Sequence, residues 1–207
     1  MPRKKTPTLA SDTPATQKHE IRAGQSLELL KELHILTRDG KLNQDSRRKL
    51  KQVYHLYQFI EPLLNEVLKL KGQVNLIDHG AGKSYLGFIL YDLFFKALNV
   101  PAHIYGIETR SELVSKSQEL AARLGFKNMS FLNLSVADST GSDLLPVNID
   151  IVTALHACNT ATDDAIDFAL QKQAQHIVLV PCCQAEIAAT LKKNRNKILA
   201  NPALSAI

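Results

Sequence analysis

The sequence predicts an open, parallel α/β sheet with helices on both faces, and three observations carry that expectation. Between residues 74 and 180, short apolar runs alternate with segments at helical spacing, each unit spanning roughly 20–30 residues. The first run ends in Asp78-His79-Gly80-Ala81-Gly82-Lys83-Ser84, and helix-like spacing begins at Tyr85. Asp78, Glu108, Asp138, His156 and Cys182 all fall at the carboxyl ends of runs. Ligand sites of such sheets lie there.

Taken in order, residues 1–20 are rich in Pro, Thr, Lys and Arg, lack apolar periodicity, and read as a disordered basic tail. From Ser26, leucines at helical spacing predict a helix through His34, ended by the turn signal Asp39-Gly40. A second helix is expected from an N-cap at Asp45 or Ser46. Its apolar stripe is Leu50, Val53, Tyr54, Tyr57, Phe59 or Ile60, and Leu64, with Pro62 expected to kink or restart it. Arg47, Arg48, Lys49 and Lys51 gather on its first turns, where the helix dipole disfavours cations. They read as a solvated face or as a contact for RNA. The organisation predicted is a tail (1–20), a helical segment (21–71) set as a cap before the sheet, in a position to cover its site, and a sheet domain (72–207).

Within the sheet domain, strands are expected at 74–77, 103–107, 129–132, 149–154 and 176–180, with helices at 84–98, 111–124 and from about 163. Gly125 is a natural residue just past a helix end, and Thr162 is a natural cap. Asp138, followed by Ser139, Thr140 and Gly141, reads on its residues alone as a simple Asx turn.

Gly80 and Gly82 allow positive φ and close approach of backbone to a ligand. Two nucleotide readings compete there. Gly82-Lys83-Ser84 supplies the end of a phosphate loop, G-x-x-x-x-G-K-[ST], yet Ile77 stands where its first glycine belongs. The alternative is an adenosyl-cofactor loop, with backbone passing beneath the cofactor's amino-acid moiety. Glu108, at the end of the next strand, is placed to accept both ribose hydroxyls as acidic residues do in dinucleotide sites, or to pair with Arg110.

Bulk properties narrow the class. The 207 residues suffice for one sizeable core and a small appendage. The most apolar window, 85–98, contains Asp92 and Lys96, so no membrane span is expected; nor does an apolar segment follow the basic N-terminus. A cytoplasmic protein is expected. The three cysteines, Cys158, Cys182 and Cys183, form neither a disulfide framework nor a convincing metal set. The net charge of +5 is uneven: residues 1–71 hold 14 Lys/Arg against 8 Asp/Glu, the remainder 11 against 12. A basic appendage on a near-neutral domain suits a polyanionic partner.

Asp78-x-Gly80-x-Gly82-Lys83 resembles motif I of class I S-adenosylmethionine-dependent methyltransferases. With 154–163 (Ala-Leu-His-Ala-Cys-Asn-Thr-Ala-Thr-Asp) and 180–183 (Val-Pro-Cys-Cys), it is similar to the methyltransferase-like protein 25 domain family and its bacterial relatives. Ser84 departs from the usual last glycine. The resemblance implies a Rossmann-like class I methyltransferase sheet, apparently truncated after its fifth strand, with an N-terminal helical extension. It implies S-adenosyl-L-methionine as cofactor, held by Asp78, Gly80, Gly82, Lys83, Glu108 and Asp138. A macromolecular methyl acceptor is expected, RNA or a ribosome-associated protein; a catalytically silent adenosyl-binding or partner-binding protein is the alternative. His156 is the candidate base, since its unperturbed pKa is ~6.5. Cys158 and Cys182 are candidates for a covalent step or for shaping the acceptor pocket. No metal is expected.

Overall fold

The computed structural model describes residues 21–155, 160–180 and Lys192. The expected N-terminal tail, His156, Cys158, Cys182 and Cys183 lie outside the described residues.

Helix α1 (Leu27–Glu32) is capped by Ser26, whose Oγ accepts from the Leu29 N–H at 3.2 Å. It ends before the expected His34 because His34 adopts a left-handed φ of 57°, and the N–H groups of Ile35 and Leu36 both turn back to the Leu30 carbonyl. Helix α2 (Gln44–Lys71) is capped by Asn43, not Asp45 or Ser46: Asn43 Oδ1 accepts from Ser46 N at 2.8 Å. Pro62 neither kinks it into two elements nor restarts it. Pro62 and Gln58 are both exposed, so the carbonyl that loses its N–H partner there faces solvent. On the opposite side Leu50, Val53, Tyr57, Ile60, Leu64 and Val67 are buried continuously, while Phe59 stays 60 % exposed.

Gly72, at φ 72°, turns the end of α2 directly into β1 (Val74–His79). Then follow α3 (Tyr85–Leu90), a π-helical turn (Tyr91–Lys96), β2 (Ala102–Glu108), α4 (Ser111–Arg123), β3 (Met129–Asn133), α5 (Val136–Thr140), β4 (Ile151–Leu155), α6 (Thr160–Gln171) and β5 (His176–Val180). Three features depart from the sequence reading. Helix α6 begins at Thr160 rather than near Asp163, so Thr162 lies in its first turn instead of capping it. The expected helix 84–98 changes to π winding at Tyr91, which brings Tyr91, Asp92, Phe94 and Phe95 all inside. The short α5, capped by Ser135, stands where a loop was expected.

The five described strands are all parallel, in the order β3-β2-β1-β4-β5. β1 is central: the chain moves outward to β2 and β3, then crosses to β4 on its other side. That reversal creates a crevice above the carboxyl ends of β1 and β4. Period-two alternation divides the strands between two cores. Val74, Leu76, Ile104 and Ile151 pack with α2, α3 and α4, whereas Ile77, Ile107 and Val152 pack with Phe168 and Ala169 of α6. The N-terminal helical segment therefore forms a layer on one face and shares its core, rather than capping the strand ends. With 28 residues, α2 extends about 42 Å, roughly twice the length of β1. Its first turns consequently reach the carboxyl rim, where Lys49 Nζ lies 5.8 Å from the Tyr85 ring centroid.

Candidate functional site

Strand pairing places Asp78 beside Thr153 of β4, and both are buried. The Thr153 hydroxyl donates to Asp78 Oδ1 at 2.7 Å. Burial pushes the Asp78 carboxyl up to about 7, against the lowering pull of that hydroxyl. His79 points to the opposite face, edge-on to Phe168 with ring centroids 4.6 Å apart. The Ser139 hydroxyl gives its proton to the Val136 carbonyl at 2.6 Å, so the His79 ring donates to it from Nε2 at 3.2 Å. Nδ1 is then a buried acceptor with no partner among the described residues, and burial lowers the ring to about 4.

The glycine turn alternates in backbone sign, with φ 63° at Gly80, 58° at Gly82 and 50° at Ser84. Such alternation can form an anion-binding nest of N–H groups. Here those donors are already engaged: Ala81 N goes to the Ile107 carbonyl, Gly82 N to Glu108 Oε2 and Ser84 N to the Ala81 carbonyl. The phosphate-loop reading therefore loses these three backbone donors as well as its first glycine. A Cβ added at Gly82 would lie 3.7 Å from Arg110 Nη2 and 4.0 Å from Glu108 Oε2, so a larger side chain would grow into the space beside that pair.

Glu108 ends β2 and is 6 % exposed. Its carboxylate accepts from Gly82 N at 2.8 Å, from Arg110 N, Nε and Nη2 at 3.0 Å each, and from Thr109 Oγ1 at 3.3 Å. The Arg110 hydrogen bonds hold it down to about 2 despite burial. The ion pair weighed in the sequence is thus formed. Asn133 Nδ2, at the end of β3, fastens the same rim by donating to the carbonyls of Glu108 and Thr109 at 3.0 and 2.8 Å. Asp138 is exposed in the first turn of α5, where it accepts from Ser135 Oγ at 2.6 Å. Lys83 is exposed and lines a groove of about 300 Å³ with Leu33, His34, Lys116, Ser117 and Arg123.

The chemistry of this donor set suits an adenosyl group. Asp78, Glu108 and Asp138 are acceptors, matched to a ribose diol and an ammonium and repulsive to a triphosphate. Asp78, Glu108 and Asp138 would hold those polar groups, with Gly80 and Gly82 leaving room beneath them. Sequence reasoning overlooked Thr153 and Asn133. A single Thr within an apolar run reads only as strand propensity, and Asn133 gains meaning once β3 is known to flank β2. No cluster of three or more His, Cys, Asp and Glu suited to a metal occurs among the described residues. Nor is any described helix long and apolar enough to cross a membrane.

A parallel sheet in this order, with a glycine turn and acidic strand ends at its switch point, defines the class I S-adenosylmethionine-dependent methyltransferase fold. The chain belongs to the family described as a methyltransferase domain, whose model matches residues 48–190, and its cofactor is S-adenosyl-L-methionine. It is 26% identical over 160 residues to the glutathione S-transferase C-terminal domain-containing protein of Mus musculus, covering 77% of this chain and 23% of that protein. The Drosophila pseudoobscura pseudoobscura homolog is 27% identical over 132 residues, 63% of this chain and 20% of its own length. The chain thus spans about a quarter of the curated relatives it matches. Among solved structures, an rRNA methylase from Streptococcus thermophilus is similar at 13% identity and TM-score 0.46, over 64% of this chain and 76% of that one. TrmK of M. capricolum in complex with S-adenosyl-homocysteine is similar at 15% identity and TM-score 0.38, over 56% and 49%.

Proposed function

We propose that the chain is the adenosyl-binding part of a cytoplasmic methyltransferase that modifies a macromolecular acceptor, and that the acceptor is RNA. The observation that carries the choice of acceptor is the position of α2. Its first turns bring Arg47, Arg48, Lys49 and Lys51 to the same end of the fold as the glycine turn, and Arg48, Lys49 and Lys51 are exposed. Cations there are poorly placed for the helix dipole and well placed for a phosphate backbone approaching the rim. A narrower kinship with the methyltransferase-like protein 25 domain family is part of this reading, supported by the sequences at 154–163 and 180–183.

S-adenosylmethionine, when bound, supplies a methyl group on a sulfonium. In the assignment proposed, Asp78, Gly80, Gly82 and Lys83 seat its amino-acid moiety, Glu108 takes the ribose hydroxyls and Asp138 takes the adenine amino group. His156 follows β4 directly and removes the acceptor proton, while Cys158 and Cys182 shape the acceptor pocket. The acceptor atom must lie in line with the methyl, about 3–3.5 Å away, for the transfer to proceed.

The test is transfer of labelled methyl from S-adenosylmethionine to fractionated cell RNA and protein, alongside calorimetry with S-adenosylhomocysteine. Label in RNA, reduced when Lys49 and Lys51 are changed to Glu, is the expected result. Label confined to protein or to small molecules overturns the RNA acceptor; adenosyl binding without any transfer favours a silent binding protein.

A further inference from the structure

The Glu108 carboxylate offers about four lone-pair sites. Gly82, Thr109 and Arg110 together direct five donors at them. The backbone donors, Gly82 N and Arg110 N, are fixed by the glycine turn and by the entry into α4. The Arg110 guanidinium is different. It spans both carboxylate oxygens, with Nε on Oε1 and Nη2 on Oε2, yet its side chain is 60 % exposed and hangs on the rim. A ribose diol presents two hydroxyl donors at similar spacing, and they need those same oxygens. Both cannot be accommodated on one carboxylate that the turn already engages.

We propose that Arg110 is a displaceable latch on the ribose seat. In the free protein its guanidinium occupies the edge of Glu108 that faces the rim, and cofactor binding exchanges it for the two ribose hydroxyls while the Gly82 N–H bond stays in place. The proposal rests on the assignment of Glu108 to the ribose. It makes Arg110 a residue that sets affinity and the rate of entry without taking part in methyl transfer. Gly82 participates because a side chain there would fill the space beside the guanidinium, where Cβ would meet Nη2 at 3.7 Å. The latch also keeps the buried end of Glu108 paired when no ligand is present, avoiding an uncompensated carboxylate at the rim.

Two features favour exchange over a permanent ion pair. The guanidinium is mostly solvated, so water can take its place on the Arg110 side although Glu108 itself is buried, and a pair with one solvated partner is weaker than a fully buried one. In addition, Arg110 lies before the first residue of α4 and makes no helix-capping side-chain bond, so its side chain can swing away without unwinding the helix.

The experiment measures binding of S-adenosylhomocysteine and of its 2′,3′-dideoxyribose analogue to wild-type protein, Arg110→Ala and Arg110→Lys by calorimetry, with association rates by stopped flow. Arg110→Ala is expected to bind S-adenosylhomocysteine roughly two- to fivefold tighter and associate faster, the range set by a modest ion pair. Arg110→Lys, which cannot span both oxygens, should fall between. The dideoxy analogue has no hydroxyls to exchange, so its affinity should be the same for all three proteins. Unchanged or weaker binding of S-adenosylhomocysteine by both folded variants overturns the latch, and makes Arg110 a permanent orienting group instead. An equal gain for both ligands also overturns it, because the hydroxyls would then be irrelevant. If wild-type protein prefers neither ligand over the other while binding both, the ribose assignment of Glu108 itself fails, and this outcome is separable from the previous two.

Discussion

The Thr153 hydroxyl donates a 2.7 Å hydrogen bond to Asp78 Oδ1 across the β1–β4 junction, where the order of strand addition reverses. That bond joins the two strands whose ends bound the crevice. It also opposes, without overcoming, the burial that pushes the Asp78 carboxyl up to about 7. An ammonium or sulfonium beside it would draw the proton off. S-adenosylmethionine affinity is therefore expected to rise from pH 6 to pH 8, and Asp78→Asn should flatten that rise. Calorimetry across the range checks it, and a flat wild-type profile would remove Asp78 from the cation's surroundings.

The same group governs stability with the opposite sign to an ordinary carboxylate. Between its unfolded value of 3.8 and its folded value of about 7, Asp78 holds a proton that the unfolded chain has released. Stability from this group is present at low pH and is lost as pH rises through that window, by at most about 4 kcal/mol. His79 does the reverse: neutral and buried, it stabilises above 6.5 and loses its contribution as pH falls toward about 4. That loss amounts to about 3 kcal/mol. The two slopes nearly cancel in the wild-type protein between pH 6.5 and 4. Urea melts should show Asp78→Asn becoming acid-labile over this range and His79→Phe becoming more stable as pH falls. Parallel slopes in the two variants would refute the opposition.

The N-terminal segment is fastened by a polar contact as well as by its leucines. Asp92, inside the π-helical turn and almost fully buried, accepts from the Ser26 N–H at 2.7 Å and from Lys96 Nζ at 3.5 Å. Nearby, Arg22 lies over the rings of Tyr54 and Tyr57 at 5.0 and 4.4 Å. Asp92→Ala removes the acceptor for Ser26 and should destabilise by about 1–3 kcal/mol. Hydrogen exchange should locate the loss, with residues 26–36 gaining exchange before the strands do.

Much of this was legible in the sequence, for a physical reason. Buried parallel strands are apolar runs without alternation, so all five described strands were marked within two residues, and 176–180 without error. The glycine turn was legible because its backbone signs demand glycine. The π turn was not: its five-residue hydrogen-bond step leaves no distinct periodicity in Tyr91–Lys96. α5 was missed because its Ser135 cap is shared by turns and helices alike. At the site, residue types were readable but partners were not. Asp78 and Glu108 stand at strand ends, yet only sheet order brings Thr153 to the first, and only loop geometry brings Gly82 N and Arg110 to the second.

Ser84 carries a strain that its neighbours make testable. It adopts a left-handed φ of 50°, which costs a non-glycine residue about 1–2 kcal/mol. Its Oγ is buried with no hydrogen-bond partner among the described residues, a further penalty of about 1–3 kcal/mol. Glycine would relieve both while adding about 0.5–1 kcal/mol of unfolded-state entropy. Ser84→Gly should therefore stabilise by at least about 1 kcal/mol, raising Tm by about 2–4 °C or more. The hydroxyl also explains Gly87. A Cβ at that position would meet Ser84 Oγ at 2.6 Å, whereas its next neighbours, Met129 Cε and Ile104 Cγ2, stand at an ordinary 3.5 and 3.6 Å. Gly87→Ala alone should destabilise despite the better helix propensity of alanine. In the Ser84→Gly background the obstacle is gone and the same change should become neutral or stabilising, by up to about 1 kcal/mol. A double-mutant cycle from urea melts measures the coupling between the two positions. Additive effects would mean that the Ser84 side chain rotates clear, and that Gly87 is fixed by something other than the hydroxyl beside it.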